Sequence, residues 1–584
     1  MDPVAHYPRL SGYVLEHRRD VWLSAACVGV VVLLQIAAPV VIRHTIDGLS
    51  DGTLGRTGLA RDLALFLGLT LAGAALSLGM RTLPLRLSHR VEFALRRDVF
   101  AHLATLDAAF FREVRTGDLM TRMASDIAMV RDYIGQGLLQ GLRSIAVCVF
   151  AFGAMAVTSL HLTLVMACLF PPMILVFSLL IAVIRRRHEA VQEQYAGISN
   201  YCQESFAGIR TVRGFAIEPL REAGFAGLSR ELIRRNISLG FVQNPLWPLF
   251  ALWFGIGVLA LLVVGGRMIV EGRLTLGELI QFQQYLLFMQ WPMLAIGWTA
   301  SLLQRGRASW RRIEELLART PAIADGPGTD SALAKVDGDI EFRDVTVRGG
   351  GRALLDRVTL RIPRGATVAV TGPTGSGKTL LVSLLPRLLD PTEGEVRIGG
   401  RDVRAYPLAA LRGAFGVAPQ EPVLFSDTLA GNLTFGLDLP TRDAALWASD
   451  LAQLHDDAIA LPQQYETFIG ERGVTLSGGQ RQRTAIGRAL ARRPAYLVLD
   501  DVLAAVDTQT EAAILDKLKP VLAACTAVIV SHRTSTLRHA DLIVVIEDGR
   551  ITATGTHDEL TARPGYYRDL VRMQELEAEL EAPA

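Results

Sequence analysis

The chain has 584 residues, a formal net charge of +2 and 50% hydrophobic residues. That length allows two to four domains, and so small a charge gives no argument for nucleic acid, which is not expected as a partner. Five scattered cysteines (Cys27, Cys148, Cys168, Cys202 and Cys525) form no CxxC pair and suggest neither a disulfide framework nor a zinc site.

The apolar residues concentrate in the first half. A membrane helix needs about 20 mostly apolar residues. Val21 to Ile42, preceded by His17, Arg18 and Arg19, meets that requirement. The run is too long for a cleaved signal peptide, lacks a small-residue cleavage site and is followed by further spans. Those spans cover residues 63–80, 145–159, 162–184, 246–264 and 279–303, making six in all.

The loops alternate in length, and the two long ones, roughly residues 81–140 and 185–243, carry many arginines. Basic residues beside spans stay in the cytoplasm, so both long loops and both termini are placed inside. Val91 to Leu103, "VEFALRRDVFAHL", has helical periodicity, so the spans are expected to continue into the cytoplasm as helices. In the sixth span, Gln281, Gln283 and Gln284 cannot all face one side, so some of them pack against neighbouring helices. No acidic cluster marks a cation path.

Pro321 to Asp339 is rich in Pro, Gly, Asp and Ser and reads as a linker. After it come alternating short strands and helices. The expected domains are a six-helix transmembrane domain over 1–320, a linker over 321–338 and an α/β nucleotide-binding domain over 339–584. The acidic tail from Met573 is expected to be a frayed helical end.

The second half carries the chemistry. A strand, "ATVAV", runs into Gly372-Pro-Thr374-Gly375-Ser376-Gly377-Lys378-Thr379 and then an apolar helix, the context of a P-loop. Its glycines let backbone N–H groups cradle phosphates, Lys378 neutralises phosphate charge and the Thr379 hydroxyl ligates Mg²⁺. Asp500 ends the "YLVLD" strand, where P-loop proteins keep the acid that holds Mg²⁺ through water.

Between these elements stands Leu476-Ser477-Gly478-Gly479-Gln480. This is the signature of the ABC ATPases, and with the P-loop and Asp500 the chain resembles an ABC transporter of the exporter type. The resemblance implies further roles. Gln420 in "GVAPQEPVLF" matches the Q-loop residue that senses Mg²⁺ and couples to the membrane domain. Tyr465 to Gly473 resembles the X-loop, Asp507 occupies the D-loop, and His532 matches the switch histidine that contacts the γ-phosphate. Leu106 to Arg131 and Cys202 to Glu218 resemble the intracellular loops whose coupling helices, here around Phe110–Thr116 and Ala216–Leu220, dock on ATPase domains.

Six spans and one ATPase domain make a half-transporter. It is similar to the B subunits of heterodimeric TmrAB-like multidrug and peptide exporters. Two positions depart from the family pattern. Asp501 stands where the catalytic Glu is expected, and its carboxylate falls short by one C–C bond, about 1.5 Å. An error of about 1 Å in a catalytic group costs on the order of a hundredfold in rate. Gly349 stands where an aromatic stacks on adenine.

In this family each ATP lies between one chain's P-loop and the other chain's signature. The resemblance therefore implies a chain that binds ATP and Mg²⁺ but hydrolyses ATP poorly at its own site. Its Ser477, Gly478, Gly479 and Gln480 complete the site of a partner half-transporter that carries the Glu and a degenerate signature. The complex would export hydrophobic or amphipathic compounds, peptides or lipids across the cytoplasmic membrane. A homodimer, an exporter-shaped siderophore importer and an ATP-gated regulatory subunit are the competing readings.

Overall fold

The computed structural model describes residues 9–470, 473, 475–504 and 506–581. The chain divides into two compact units. One runs up to His102 and over Thr116–Arg319, and the other holds Leu103–Arg115 and the chain from Thr320 onward.

Among the described residues of the first unit, six helical runs are long and apolar enough to cross a membrane: Arg18–Ser50, Arg56–Leu103, Thr116–Thr158, Leu160–Ala207, Glu218–Val270 and Leu276–Leu317. The run Arg56–Leu103 has 48 residues. At about 1.5 Å per residue it is roughly 70 Å long, more than twice the hydrocarbon thickness of about 30 Å. The expected helical continuation past Met80 is therefore present.

The core of this unit joins the third, fourth and sixth runs through Met155, Leu162, Met166, Phe282, Tyr285 and Met289. Buried polar groups must find partners where no water is at hand. The Gln281 amide donates to the Tyr285 hydroxyl at 3.0 Å, which donates to the Ile36 carbonyl at 3.0 Å. Gln281 is thus a packing residue, as some of the glutamines there had to be. The sixth run starts on a capping box made by Thr275 and Glu278. Gly277 lets the Arg18–Ser50 helix approach: a Cβ there would lie 2.5 Å from Asp47 Oδ1, the atom that accepts the Gly277 N–H.

In the second unit, Thr367–Thr371, Thr526–Val530 and Tyr496–Asp500 are five-residue strands buried at every position. Near-continuous apolar runs of this kind mark parallel strands covered on both faces. They form the centre of a six-stranded sheet ordered Arg550–Gly555, Leu542–Glu547, Thr367–Thr371, Thr526–Val530, Tyr496–Asp500 and Phe415–Ala418. The inner neighbours are parallel, and only the edge strand Arg550–Gly555 runs antiparallel. A second sheet holds the hairpin of Ile340–Gly349 and Arg352–Ile362, whose turn residues Gly350 and Gly351 both have positive φ.

The segment 321–338 contains no long regular element but is not free. Ile323 and Val336 are buried, Asp330 N–H donates to the Ala405 carbonyl, and Asp325 accepts from Leu408 N–H. The helix Tyr566–Glu581 is anchored ahead of the acidic tail, where Tyr567, Leu570 and Val571 are buried against Leu537, Ile543 and Val545; from Met573 on it stays helical, with Met573, Leu576 and Leu580 exposed. Residues 582–584 lie outside the described residues.

Candidate functional site

Parallel strands expose their carboxyl ends along one edge of a sheet, and ligands bind in the crevice beyond that edge. Val530 is in register with both Val370 and Asp500. The residues that follow these strand ends therefore converge: Gly372 after the first, His532 after the second, Asp501 after the third, and Gln420 after the neighbouring Phe415–Ala418. A cavity of about 370 Å³ lies there, lined by Thr374, Gly375, Gly377, Lys378, Thr379, Gln420, Asp500, Asp501 and His532 with Leu380 and Val530.

The loop between Thr371 and Lys378 has a backbone that other residues would not permit. Gly372, at φ +148°, leaves room for the Ile546 carbonyl oxygen, which a Cβ would meet at 1.9 Å. Gly377, at φ +100°, caps the helix Lys378–Leu384, and a Cβ there would lie 2.9 Å from the Leu354 carbonyl oxygen. Lys378 curls over this loop and donates to the carbonyls of Gly372 and Pro373, both at 2.8 Å. Ser376 Oγ is buried without a hydrogen-bond partner among the described residues. An orphaned hydroxyl in a loop of inward-turned backbone fits a phosphate-bearing ligand. Thr379 Oγ1 donates to Asp500 at 3.3 Å, so a hydroxyl and a carboxylate stand together as the hard oxygen donors that Mg²⁺ takes.

Burial shapes the charges. It pushes the Asp500 and Asp501 carboxyls above their ordinary range, and the pull of Lys378 only partly offsets this. Burial likewise lowers Lys378 and His532; the Lys378 charge lowers His532 further and the Asp501 carboxylate opposes. His532 is thereby favoured as a neutral imidazole, able to donate from one nitrogen and accept at the other. Asp501 itself sits in the left-handed region at φ +49°, with its N–H donated to the Val530 carbonyl at 3.0 Å. No Phe, Tyr or Trp lines the cavity among the described residues. Gly349 ends its strand, with Leu354 over the face where a Cβ would go.

The signature residues are not brought into this cavity. Ser477 caps the helix Gly478–Ala491 in a reciprocal box: Gln480 N–H donates to Ser477 Oγ, and Ser477 N–H to Gln480 Oε1. The Gln480 amide also donates to Asp457 at 2.9 Å. Gly478 presents open space where a side chain would be. A bare, rigidly capped helix start of this kind offers its N–H groups to an anion. Asp507 is likewise outside the cavity and caps the helix Thr508–Leu522 by accepting from Thr510 N–H. Glu471 and Arg472 of the X-loop stretch, and Ala505 beside Asp507, lie outside the described residues.

Three supporting residues carry no motif. Glu511, 1% exposed, pairs with Arg533 and accepts from Ser535 and Thr536 hydroxyls. Arg533 in turn donates to the carbonyls of Ala504 and Val506. Gln574 bonds the backbone on both sides of Arg533. The available signal was adjacency, Arg533 beside His532 and Glu511 in the first turn after Asp507; for Gln574 there was none.

Residues 21–293 match the family model described as the ABC transporter transmembrane region, and residues 355–504 match the one described as ABC transporter. The chain is 32% identical to the multidrug resistance-like ATP-binding protein MdlA of Escherichia coli (strain K12), over 98% of both chains. The chain belongs to the ABC exporters. This exporter chain is also 34% identical to the probable multidrug resistance ABC transporter ATP-binding/permease protein YheI of Bacillus subtilis (strain 168), over 93% of each. The solved structure of a bacterial Atm1-family exporter with ATP bound superposes with a TM-score of 0.80 and 25% identity, covering 95% of this chain and 98% of that one. The exporter chain is thus a multi-pass membrane protein whose ABC ATPase domain uses ATP with Mg²⁺ to drive transport, and ABC exporters act as dimers.

Proposed function

We propose that this chain is the catalytically impaired subunit of a heterodimeric exporter in the cytoplasmic membrane, with both termini and the ATPase domain in the cytoplasm. Its domains run over 1–320 and 339–584, joined by 321–338. The observation that carries the reading is the pairing of Asp501, one C–C bond short of the usual Glu, with a fully formed capping box at Ser477 and Gln480. A carboxylate of short reach in a cavity that retains Lys378, Thr379 and Asp500 suits binding without rapid hydrolysis. In this reading Thr379, Asp500 and Gln420 hold Mg²⁺, the loop Gly372–Lys378 holds the phosphates, and His532 contacts the terminal phosphate. The Ser477–Gln480 helix start and Asp507 serve the partner's nucleotide. Mg²⁺ held there would neutralise phosphate charge.

The complex moves hydrophobic or amphipathic compounds, peptides or lipids outward, and turnover at the partner's site resets it. The test is asymmetric. Asp501→Asn leaves most of the ATPase activity of the purified complex, whereas Gln in place of the partner's catalytic Glu abolishes it. Loss of turnover on Asp501→Asn alone would instead favour two equal sites, as in a homodimer.

A further inference from the structure

The membrane unit contains a second cavity, of about 800 Å³. Arg81, from the run Arg56–Leu103, and Arg143, from Thr116–Thr158, both line it. Neither has a hydrogen bond or ion pair among the described residues, and their like charges repel each other. Other charged groups on the wall are already answered. Arg131 pairs with Asp132 at 2.9 Å and with Glu92 at 3.5 Å, and His89 pairs with Glu92 at 2.9 Å. The one acidic lining residue, Asp132, is thus engaged by Arg131. Two guanidinium groups are left facing the space without a counter-charge.

Beyond the neutral polar residues Ser88, Gln136 and Gln140, the rest of the wall is apolar and aromatic. Trp291 and Trp298 of the sixth run, 69% and 49% exposed, line the cavity with Met80 and Leu85. Holding two unpaired cations together beside apolar surface is unfavourable in the empty state, and an anion between them removes that cost. A planar guanidinium fork matches carboxylate, phosphate or sulfonate oxygens, and an indole offers a broad apolar face to the remainder of such a molecule.

We propose that this cavity binds amphipathic anions, with the acidic group between Arg81 and Arg143 and the apolar body against Trp291 and Trp298. This rests on reading the chain as an exporter and specifies its substrate class. The anion comes either from the bilayer, as an acidic lipid headgroup, or from the cytoplasm, as a free amphipathic acid.

The test uses the full exporter complex in nanodiscs without nucleotide, with 11-(dansylamino)undecanoate and its uncharged methyl ester as probes. In phosphatidylcholine discs the acid binds at least about tenfold more tightly than the ester, the scale of a lost charge-assisted contact. The double variant Arg81→Gln/Arg143→Gln abolishes that preference, and Arg81→Lys/Arg143→Lys keeps most of it. Equal binding of acid and ester by the unaltered complex, or a preference that survives the Gln variant, overturns the proposal. Including phosphatidylglycerol separates the sources: displacement of the probe assigns the site to lipid headgroups, and undiminished binding assigns it to free acids. ATP-driven movement of the probe in proteoliposomes is scored separately. Binding of the acid without such movement upholds the site and overturns the assignment of amphipathic anions as the transported class.

Discussion

The side-chain amide of Gln574, on the last helix, donates to the main-chain carbonyl of His532 at 2.7 Å. Its oxygen accepts from the N–H and the hydroxyl of Thr534, each at 2.9 Å. One residue from the far end of the chain therefore brackets the histidine that faces the nucleotide cavity.

Gln574→Ala should loosen His532 and weaken the preference of this chain for ATP over ADP, with ADP affinity little changed. Each such bond contributes about 1 kcal/mol, so a change of roughly three- to tenfold is expected. Photolabelling of this chain with 8-azido-ATP, competed by ATP or ADP, measures it. Gln574→Glu keeps the acceptor for Thr534 and loses the donor to His532, so an intermediate or larger loss identifies the His532 contact as the important one.

Asp501→Asn should raise the thermal stability of the nucleotide-free protein at neutral pH. Burial raises the Asp501 carboxyl above its ordinary value of 3.8, so the folded state binds its proton more readily than the unfolded state. Stability from such a group is fully present below 3.8 and is lost as pH rises through the folded-state value. The advantage of Asn is therefore largest near pH 7 to 8 and fades as pH falls toward 4. Melting curves across that range decide it, and an advantage that grows on acidification would contradict the buried-carboxylate account.

Removing the Glu511 carboxylate should be severe. Glu511→Ala leaves the Arg533 guanidinium without its ion pair and strips the acceptor from Ser535 and Thr536. Breaking a buried pair from one side costs about 3–5 kcal/mol. Because Arg533 remains 30% exposed, the lower part of that range applies. A fall in melting temperature should accompany faster proteolysis around Ala504 and Val506, whose carbonyls Arg533 holds.

Gly372→Ala should abolish nucleotide labelling of this chain while leaving the membrane unit folded. A Cβ at that position would lie 1.9 Å from the Ile546 carbonyl oxygen, too close for the flanking strand to accommodate. By contrast, Gly375→Ala meets nothing within 4 Å and suffers only its backbone strain at φ +82°. The first change should be much the more damaging, as read by labelling of the two purified variants side by side.

While the role expected of His532 came only from the family resemblance, the sequence alone carried the six spans, the helical extensions, the P-loop and Asp500. Each is written in local terms: run length against bilayer thickness, glycine spacing that turns the backbone, and an acid at the end of a buried strand. Other features depended on which strands lie side by side and which helix crosses over them. Thr367–Thr371, Thr526–Val530 and Tyr496–Asp500 are far apart in sequence, and only their parallel register gathers Lys378, His532 and Asp501 around one cavity. The same holds for Gln574 against His532, for Glu511 between two loops, and for Arg81 meeting Arg143 on one wall. Chemical identity is local to a residue, but electrostatic environment and hydrogen-bond partners fall off within a few ångströms. They are set by through-space neighbours, and tertiary packing decides those.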